Sequence, residues 1–344
     1  MNLPTIPYRT QRMLKRLLVI ALIALLVIGL FATCWFLWLD RYVVYTRNGA
    51  VLDFERSSED IVGEPAHPPV QDNLVSIYYN EGDAMVETSK ELSQMSGYYI
   101  DVAALMGGIE TVKEQLSRLP AGTPVMLEVK NSFGSFYYNT SASNFRSDTL
   151  DLNAVDELIR YMNQKDLYTI ACLPALRDYS YGLNFEQNGL PTAGGYLWAD
   201  EEYRYWLDPT KEGTISYLTG IANELRALGF NEVVFLNFHF PDTQSIVFNG
   251  DKTQALTNAA QALVNNCGTR SFAVSFEGGE GFVPPEGRSR VYVTGSDALG
   301  AKTIAESANV ADVTVNLVFI TDLYDTRFDE YSVLRPLSFA GAQQ

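Results

Sequence analysis

The sequence predicts an α/β barrel of the TIM type standing behind one N-terminal transmembrane helix. Three observations carry that prediction. An uncharged apolar run occupies residues 17–39. From Leu74 onward, short β-branched and aromatic runs alternate with helical patterns. The length left beyond the apolar run suits one α/β barrel or two smaller domains.

The apolar run, Leu17 to Leu39, departs from apolar or small residues only at Thr33 and Cys34. At about 1.5 Å per residue, roughly 20 such residues cross the hydrocarbon core. Trp35 and Trp38 sit where an interfacial aromatic belt is expected, and Arg9, Arg12, Lys15 and Arg16 precede the run with no acidic residue among them. The positive-inside bias leaves residues 1–16 in the cytoplasm and sends the C-terminal bulk across the cell membrane. A cleaved signal peptide has a shorter core and a small-x-small site, which Cys34-Trp35-Phe36-Leu37-Trp38 does not offer. A lipoprotein signal would need small residues before Cys34 and a polar stretch after it.

Acidic residues number 41 against 25 basic ones. Because four of the basic residues precede the apolar run, the acidic excess is concentrated beyond it. Such a domain repels nucleic acid and anionic headgroups at long range, which excludes nucleic acid as a partner. Only Cys172 and Cys267 lie beyond the run. Their spacing signals no disulfide framework, and Cys172, inside Thr169-Ile170-Ala171-Cys172-Leu173, reads as a buried free thiol. Asn139-Thr140-Ser141 fits a glycosylation sequon of a kind that arises often by chance.

Residues 40–72 read as a stalk: a short hairpin (Val43-Val44-Tyr45, a turn at Asn48-Gly49, Val51-Leu52) and then a proline-bearing linker from Ser57 to Asp72. Residues 73–344 follow as the barrel. Its expected strands are Val75–Tyr79, Gly97–Val102, Val125–Lys130, Tyr168–Pro174, Glu232–Phe238, Ser271–Glu277, Arg290–Thr294 and Val313–Phe319. The expected helices are Ala84–Gln94, Gly108–Leu119, Leu152–Asn163, Glu212–Leu228, Thr253–Asn265 and Leu299–Ala308. Gly229 caps the Glu212 helix before the next strand. Eight strands with helices outside read as a TIM barrel, a doubly wound open sheet being the alternative.

Four blocks between Gly97 and Phe319 carry a resemblance. Gly97-Tyr98-Tyr99-Ile100 opens it. Leu127-Glu128-Val129-Lys130-Asn131-Ser132-Phe133-Gly134 is similar to an Asp-x-Lys-(polar)-Gly block, with glutamate at position 128. Ala171–Tyr179 ends in Arg177-Asp178-Tyr179, with Cys172 at a place where arginine is usual. The fourth block runs from Trp206-Leu207-Asp208-Pro209 through Gly229-Phe230-Asn231-Glu232-Val233 to Phe240-Pro241. In this order the blocks resemble the glycoside-hydrolase-like TIM-barrel family of bacteria, long catalogued as a domain of unknown function. The resemblance implies a barrel that handles carbohydrate. Three departures bear on hydrolysis. Leu236 and Asn237 stand where the family carries aspartate and tyrosine. His239 stands where it carries arginine. The chain also stops soon after Phe319, so the family's C-terminal portion is expected to be shortened or rearranged.

Apart from the resemblance, side chains alternate along barrel strands, and catalytic groups gather at the C-terminal mouth. In Ser271–Glu277, Phe272, Val274 and Phe276 suit the helix layer, while Ser271, Ala273, Ser275 and Glu277 suit a crowded lumen ending in a carboxylate. Glu128 and Lys130 share a face, as do Phe235, Asn237 and His239, and Asp101 and Asn316 fall near strand ends. Glycoside hydrolysis needs two carboxyl groups, one donating a proton and the other attacking or acting as base. Glu277, before the Gly278-Gly279-Glu280-Gly281 loop, is the candidate acid/base and Glu128 the candidate nucleophile. Lys130 is expected to keep Glu128 ionised and an apolar wall to raise the pKa of Glu277. Asp101, Lys130, Trp198, Asn237, His239 and Asn316 are the expected sugar-binding groups.

Aromatic faces suit sugar rings. Trp198 lies in a cluster with Tyr196, Tyr203, Tyr205 and Trp206, and Asp208 is expected to cap the Glu212 helix. Each of these residues also has a plain structural reading, as core packing, a buried pair or a cap. His67 and His239 are the only histidines, so neither a histidine-rich metal site nor a nucleophilic triad is expected, and no cofactor. Two functions remain open: a glycan hydrolase at the outer membrane face, or an inactive barrel kept as a glycan-binding or scaffold module of an envelope assembly.

Overall fold

The computed structural model describes residues 26–29, 31, 33, 35, 43–46, 49–52, 92–278 and 282–338, and the chain divides into two units, Met1–Glu64 and Pro65–Gln344. In the first unit residues 26–29, 31, 33 and 35 are helical, with the Thr33 hydroxyl donating to the Gly29 carbonyl at 2.7 Å. The rest of the expected span at 17–39 lies outside the described residues, among which no helix is long and apolar enough to cross a membrane. The expected hairpin is present: β1 (Val43–Thr46) pairs antiparallel with β2 (Gly49–Leu52).

In the second unit eight parallel strands close a barrel: β3 (Ser96–Ile100), β4 (Pro124–Glu128), β5 (Tyr168–Pro174), β6 (Glu232–Leu236), β7 (Ala273–Glu277), β8 (Val291–Thr294), β9 (Leu317–Ile320) and β10 (Ser332–Pro336). Neighbours in sequence are neighbours in the wall, and β10 returns to pair with β3. Helices α1 (Val102–Gly107), α2 (Ile109–Ser117), α3 (Leu152–Gln164), α4 (Tyr179–Asn184), α5 (Glu212–Ala227), α6 (Lys252–Cys267), α7 (Gly300–Ser307) and α8 (Val313–Asn316) connect them. Parallel strands need such crossovers, so the alternation read from the sequence leads to this architecture.

The strand pattern sorts the core into two layers. Val125, Leu127, Ala171, Leu173, Val233, Phe235, Val274 and Phe276 pack outward against the helices, which meet them with Leu116, Ile159, Ile221 and Leu263. Met126, Ile170, Cys172, Val234, Tyr292, Val318 and Leu334 fill the lumen, with Tyr99, Leu236 and Ile320 at its edge. The barrel interior is therefore a packed core, as barrels of this size require. Gly97 lets β3 approach β4 so closely that a Cβ there would overlap the Pro124 carbonyl.

Several boundaries differ from expectation. Val75–Tyr79 and all but the end of Ala84–Gln94 lie outside the described residues. The barrel opens with β3 and is completed by β10, so it is a closed eight-strand barrel within the described residues rather than a shortened one. Val313–Asn316, expected as strand, is one helical turn, because Asp312 accepts from the Thr314 amide and caps it. Asp208 does not cap α5: the cap position is Lys211, and Asp208 instead accepts from the Thr210 amide and hydroxyl in a local turn.

Candidate active site at the barrel mouth

The C-terminal strand ends bring Asp101, Glu128, Asn237, Glu277 and Thr294 to one face of the barrel. Asp101 follows β3 and accepts from the Ala104 amide as the N-cap of α1. Glu128 ends β4, half-buried, and accepts from the Val102 amide at 2.9 Å. Burial raises its pKa. The Val102 hydrogen bond opposes that, and the neighbouring Asp101 charge adds to it. Nearby, the Tyr137 phenol is pushed up to about 12, first by burial and then by the Glu128 charge. Burial also pushes the Cys172 thiol up, with Glu128 adding to it, and both this cysteine and Cys267 are free.

Glu277 ends β7 in polar surroundings. The Asn237 amide donates to one of its oxygens at 2.5 Å and the Thr294 hydroxyl to the other at 2.6 Å. In the ring of strands, β5 and β6 lie between Glu128 and Glu277. The two carboxyl groups thus face one mouth from different walls and in unlike surroundings.

The Lys130 expectation is corrected. Its side chain is fully buried, paired with Asp178 at 2.8 Å and donating to the Pro174 carbonyl at 3.0 Å. Asp178 also accepts from the Tyr217 hydroxyl at 2.9 Å. Lys130 therefore fastens the loops after β4 and β5 to α5 and neither faces a ligand nor holds Glu128 ionised. The expected environments of the two glutamates are likewise exchanged: burial acts on Glu128, whereas polar donors rather than an apolar wall surround Glu277.

Asn316 is also corrected. It stands at the end of α8, before β9, and its amide donates to the Ser289 carbonyl, which precedes β8. That is the N-terminal end of the barrel, opposite the mouth. The alternation assigned to β6 is shifted as well: Val234 and Leu236 face the lumen, and Phe235 faces the helices. Asn237 then takes φ 50°, a left-handed conformation that asparagine tolerates better than most residues, and offers its amide rather than its side chain. His239 is exposed, its ring 5.1 Å from that of Trp206. Trp198 is half-buried against the core on the long loop after β5. An ion pair from Arg177 to Asp200, 2.7 Å, braces that loop.

Tyr137 and Thr294 carry no expectation in the sequence, and Asp178 enters there only within the Arg177-Asp178-Tyr179 block. Thr294 had a usable signal, since Val291-Tyr292-Val293-Thr294 alternates and puts Tyr292 and Thr294 on one face. Asp322 joins the mouth too: with Asp101, and after burial, its charge raises the Tyr99 pKa. Among the described residues no group of three or more His, Cys, Asp or Glu is arranged to hold a metal ion.

Among solved structures, a hypothetical protein from Ruminiclostridium thermocellum is 17% identical with a TM-score of 0.45, over 52% of this chain and 96% of that one. The α-galactosidase of Lactobacillus brevis is 8% identical with a TM-score of 0.45, over 73% of this chain and 40% of its own. The α-galactosidase of Thermus thermophilus is 10% identical with a TM-score of 0.39, over 54% and 39%. The chain thus spans less than half the length of either galactosidase. No curated protein matches. Residues 115–270, from the end of α2 past α6, match the family described as "Putative glycosyl hydrolase domain".

Proposed function

We propose that the protein is a membrane-anchored, extracytoplasmic carbohydrate-active barrel that hydrolyses glycosidic bonds at its mouth. The anchoring rests on the apolar run at 17–39 and the basic residues before it. The carbohydrate chemistry is supported by the glycosyl hydrolase domain match. The observation that carries hydrolysis is the pair of unlike carboxyl groups. Glycoside hydrolysis requires one carboxyl that donates a proton and one that attacks or acts as base. Burial suits Glu128 to donate the proton to the departing glycosidic oxygen. Glu277, with both oxygens accepting hydrogen bonds, suits the role of nucleophile or base. Asp101 raises the proton affinity of Glu128, and Trp198 and His239 are the candidate sugar contacts on the surrounding loops.

A second reading has its own support. Leu236 puts an apolar side chain at the tip of β6, half-buried in the lumen cluster, where the resemblance implies a carboxylate. That favours a barrel that binds glycan without cleaving it. The full-length chain, assayed for reducing-end release on a panel of bacterial and plant polysaccharides, separates the two. Release that is lost in Glu128→Gln and in Glu277→Gln establishes the hydrolase. Absence of release, with one glycan still bound by wild type and both variants, establishes the binding barrel instead.

A further inference from the structure

We propose that Thr294 is a positioning residue that, together with the main chain at Asn237, clamps Glu277 at the mouth; the inference rests on reading that mouth as a hydrolytic site. A glutamate at a strand tip has several side-chain torsions to fix, and ordering it costs conformational entropy. Here each oxygen has its own donor, and the two donors come from opposite sides. The Asn237 amide arrives from the end of β6 at 2.5 Å, and the Thr294 hydroxyl from the end of β8 at 2.6 Å. These strands flank β7 in the barrel wall.

Both donors are themselves held. Asn237 turns left-handed at φ 50° at the point where β6 stops, and its N–H is spent on Glu277. Thr294 is the last residue of β8 and its χ1 is stiff because it is β-branched. A hydroxyl has one proton to donate, so the proton given to Glu277 is the only one Thr294 has. The arrangement fixes where the carboxylate stands relative to any ring bound in the mouth. Such positioning matters, since small displacements of a reacting group are costly in rate.

The test uses the full-length chain and two readouts: the amide resonance of Asn237, and aglycone release from a panel of 4-nitrophenyl glycosides. Valine has the shape of threonine without the donor, and serine keeps the donor. Thr294→Val is expected to move the Asn237 resonance toward its position in Glu277→Gln. It is also expected to lower kcat about 10- to 100-fold with KM within about 3-fold, as for loss of a charge-assisted hydrogen bond. Thr294→Ser is expected to restore both. An Asn237 resonance unmoved in Thr294→Val overturns the clamp, and so does a serine variant as impaired as the valine one. A wild type that releases no aglycone, with the Asn237 resonance moved in Thr294→Val as expected, supports the clamp and overturns the hydrolytic reading.

Discussion

Glutamates face the lumen at both ends of this barrel, and the two ends treat them differently. At the N-terminal end Glu232 is fully buried and accepts from Tyr168, Ser275 and Tyr292, while the Arg290 guanidinium lies 2.6 Å away. Arg290 in turn donates to the carbonyls of Ser93 and Val315. Ser275 also accepts from the Arg290 amide, and Tyr168 from the Arg290 guanidinium. Beside it the Tyr168 and Tyr292 phenols are pushed well up, first by burial and then by the Glu232 charge. At the C-terminal end Glu128 has one amide donor and an acidic neighbour, Asp101. Glu232 is surrounded by side-chain partners of its own, whereas Glu128 has a single main-chain donor. A buried charge is tolerable only when paired, so the closed end is where the charge serves the fold. The open end holds a carboxyl in an unfavourable state, a pattern found at functional sites.

That contrast can be broken most forcefully at the closed end. Glu232→Gln leaves the Arg290 charge buried without its counter-charge and is expected to cost about 3–5 kcal/mol, read as a lowered midpoint in denaturant unfolding. Replacing both partners with apolar residues, Glu232→Leu with Arg290→Met, is expected to recover most of that loss. A Glu232→Gln variant as stable as wild type would remove the distinction between the two ends. Lys130→Met strands Asp178 in the same way and is expected to cost about 3 kcal/mol. It should also loosen the loops after β4 and β5, read as faster amide exchange at residues 131–135 and 177–182.

The smallest effect has the opposite sign. The Glu128 pKa is raised in the fold, so its contribution to stability is fully present below its unfolded pKa and is lost as pH rises through the folded value. Near pH 7 this residue therefore costs stability. Glu128→Gln is expected to raise the unfolding midpoint slightly there, by under about 1 kcal/mol, with the gain vanishing in acid. Glu224 should titrate in the other direction. Burial pushes its pKa up, but donors on Ser141, Thr140 and Tyr138 outweigh it and hold it low. Its stabilisation is present above the unfolded pKa and is lost as pH falls through the lowered one. Glu224→Gln should therefore narrow the stability gap between pH 7 and pH 3, and an unchanged gap would show that the loop at 138–141 does not depend on this charge.

The strands inside apolar runs are legible because a short uncharged run bounded by turn residues leaves little choice. Tyr168–Pro174 was read to the residue, and Glu277 was placed at a strand tip by the same alternation. β10 was missed because Ser332-Val333-Leu334-Arg335-Pro336 carries an arginine and a proline and follows a polar loop. Asn316 was set at the wrong end because Val313-Thr314-Val315 has strand composition, and a single aspartate cap decides for the helix. What no local pattern encodes is partnership. Lys130 shares a strand face with Glu128 on paper, yet Asp178 claims it from a different loop. Glu232 reads as the start of a strand, not as the hub of four polar side chains.

The barrel is fastened by a long-range stitch: β10 runs beside β3, and the Met95 amide donates to the Ser332 hydroxyl across 237 positions of chain. Assembly order follows from this. Seven strands can line up in order of synthesis, each beside its predecessor, but the ring stays an open sheet until residues 332–336 arrive. Until then β3 and β9 both present unpaired edges, and exposed edges recruit strands from other chains. Because such distant pairings form slowly, ring closure is the step at which a crowded population of half-made molecules divides between native barrels and strand-exchanged aggregates.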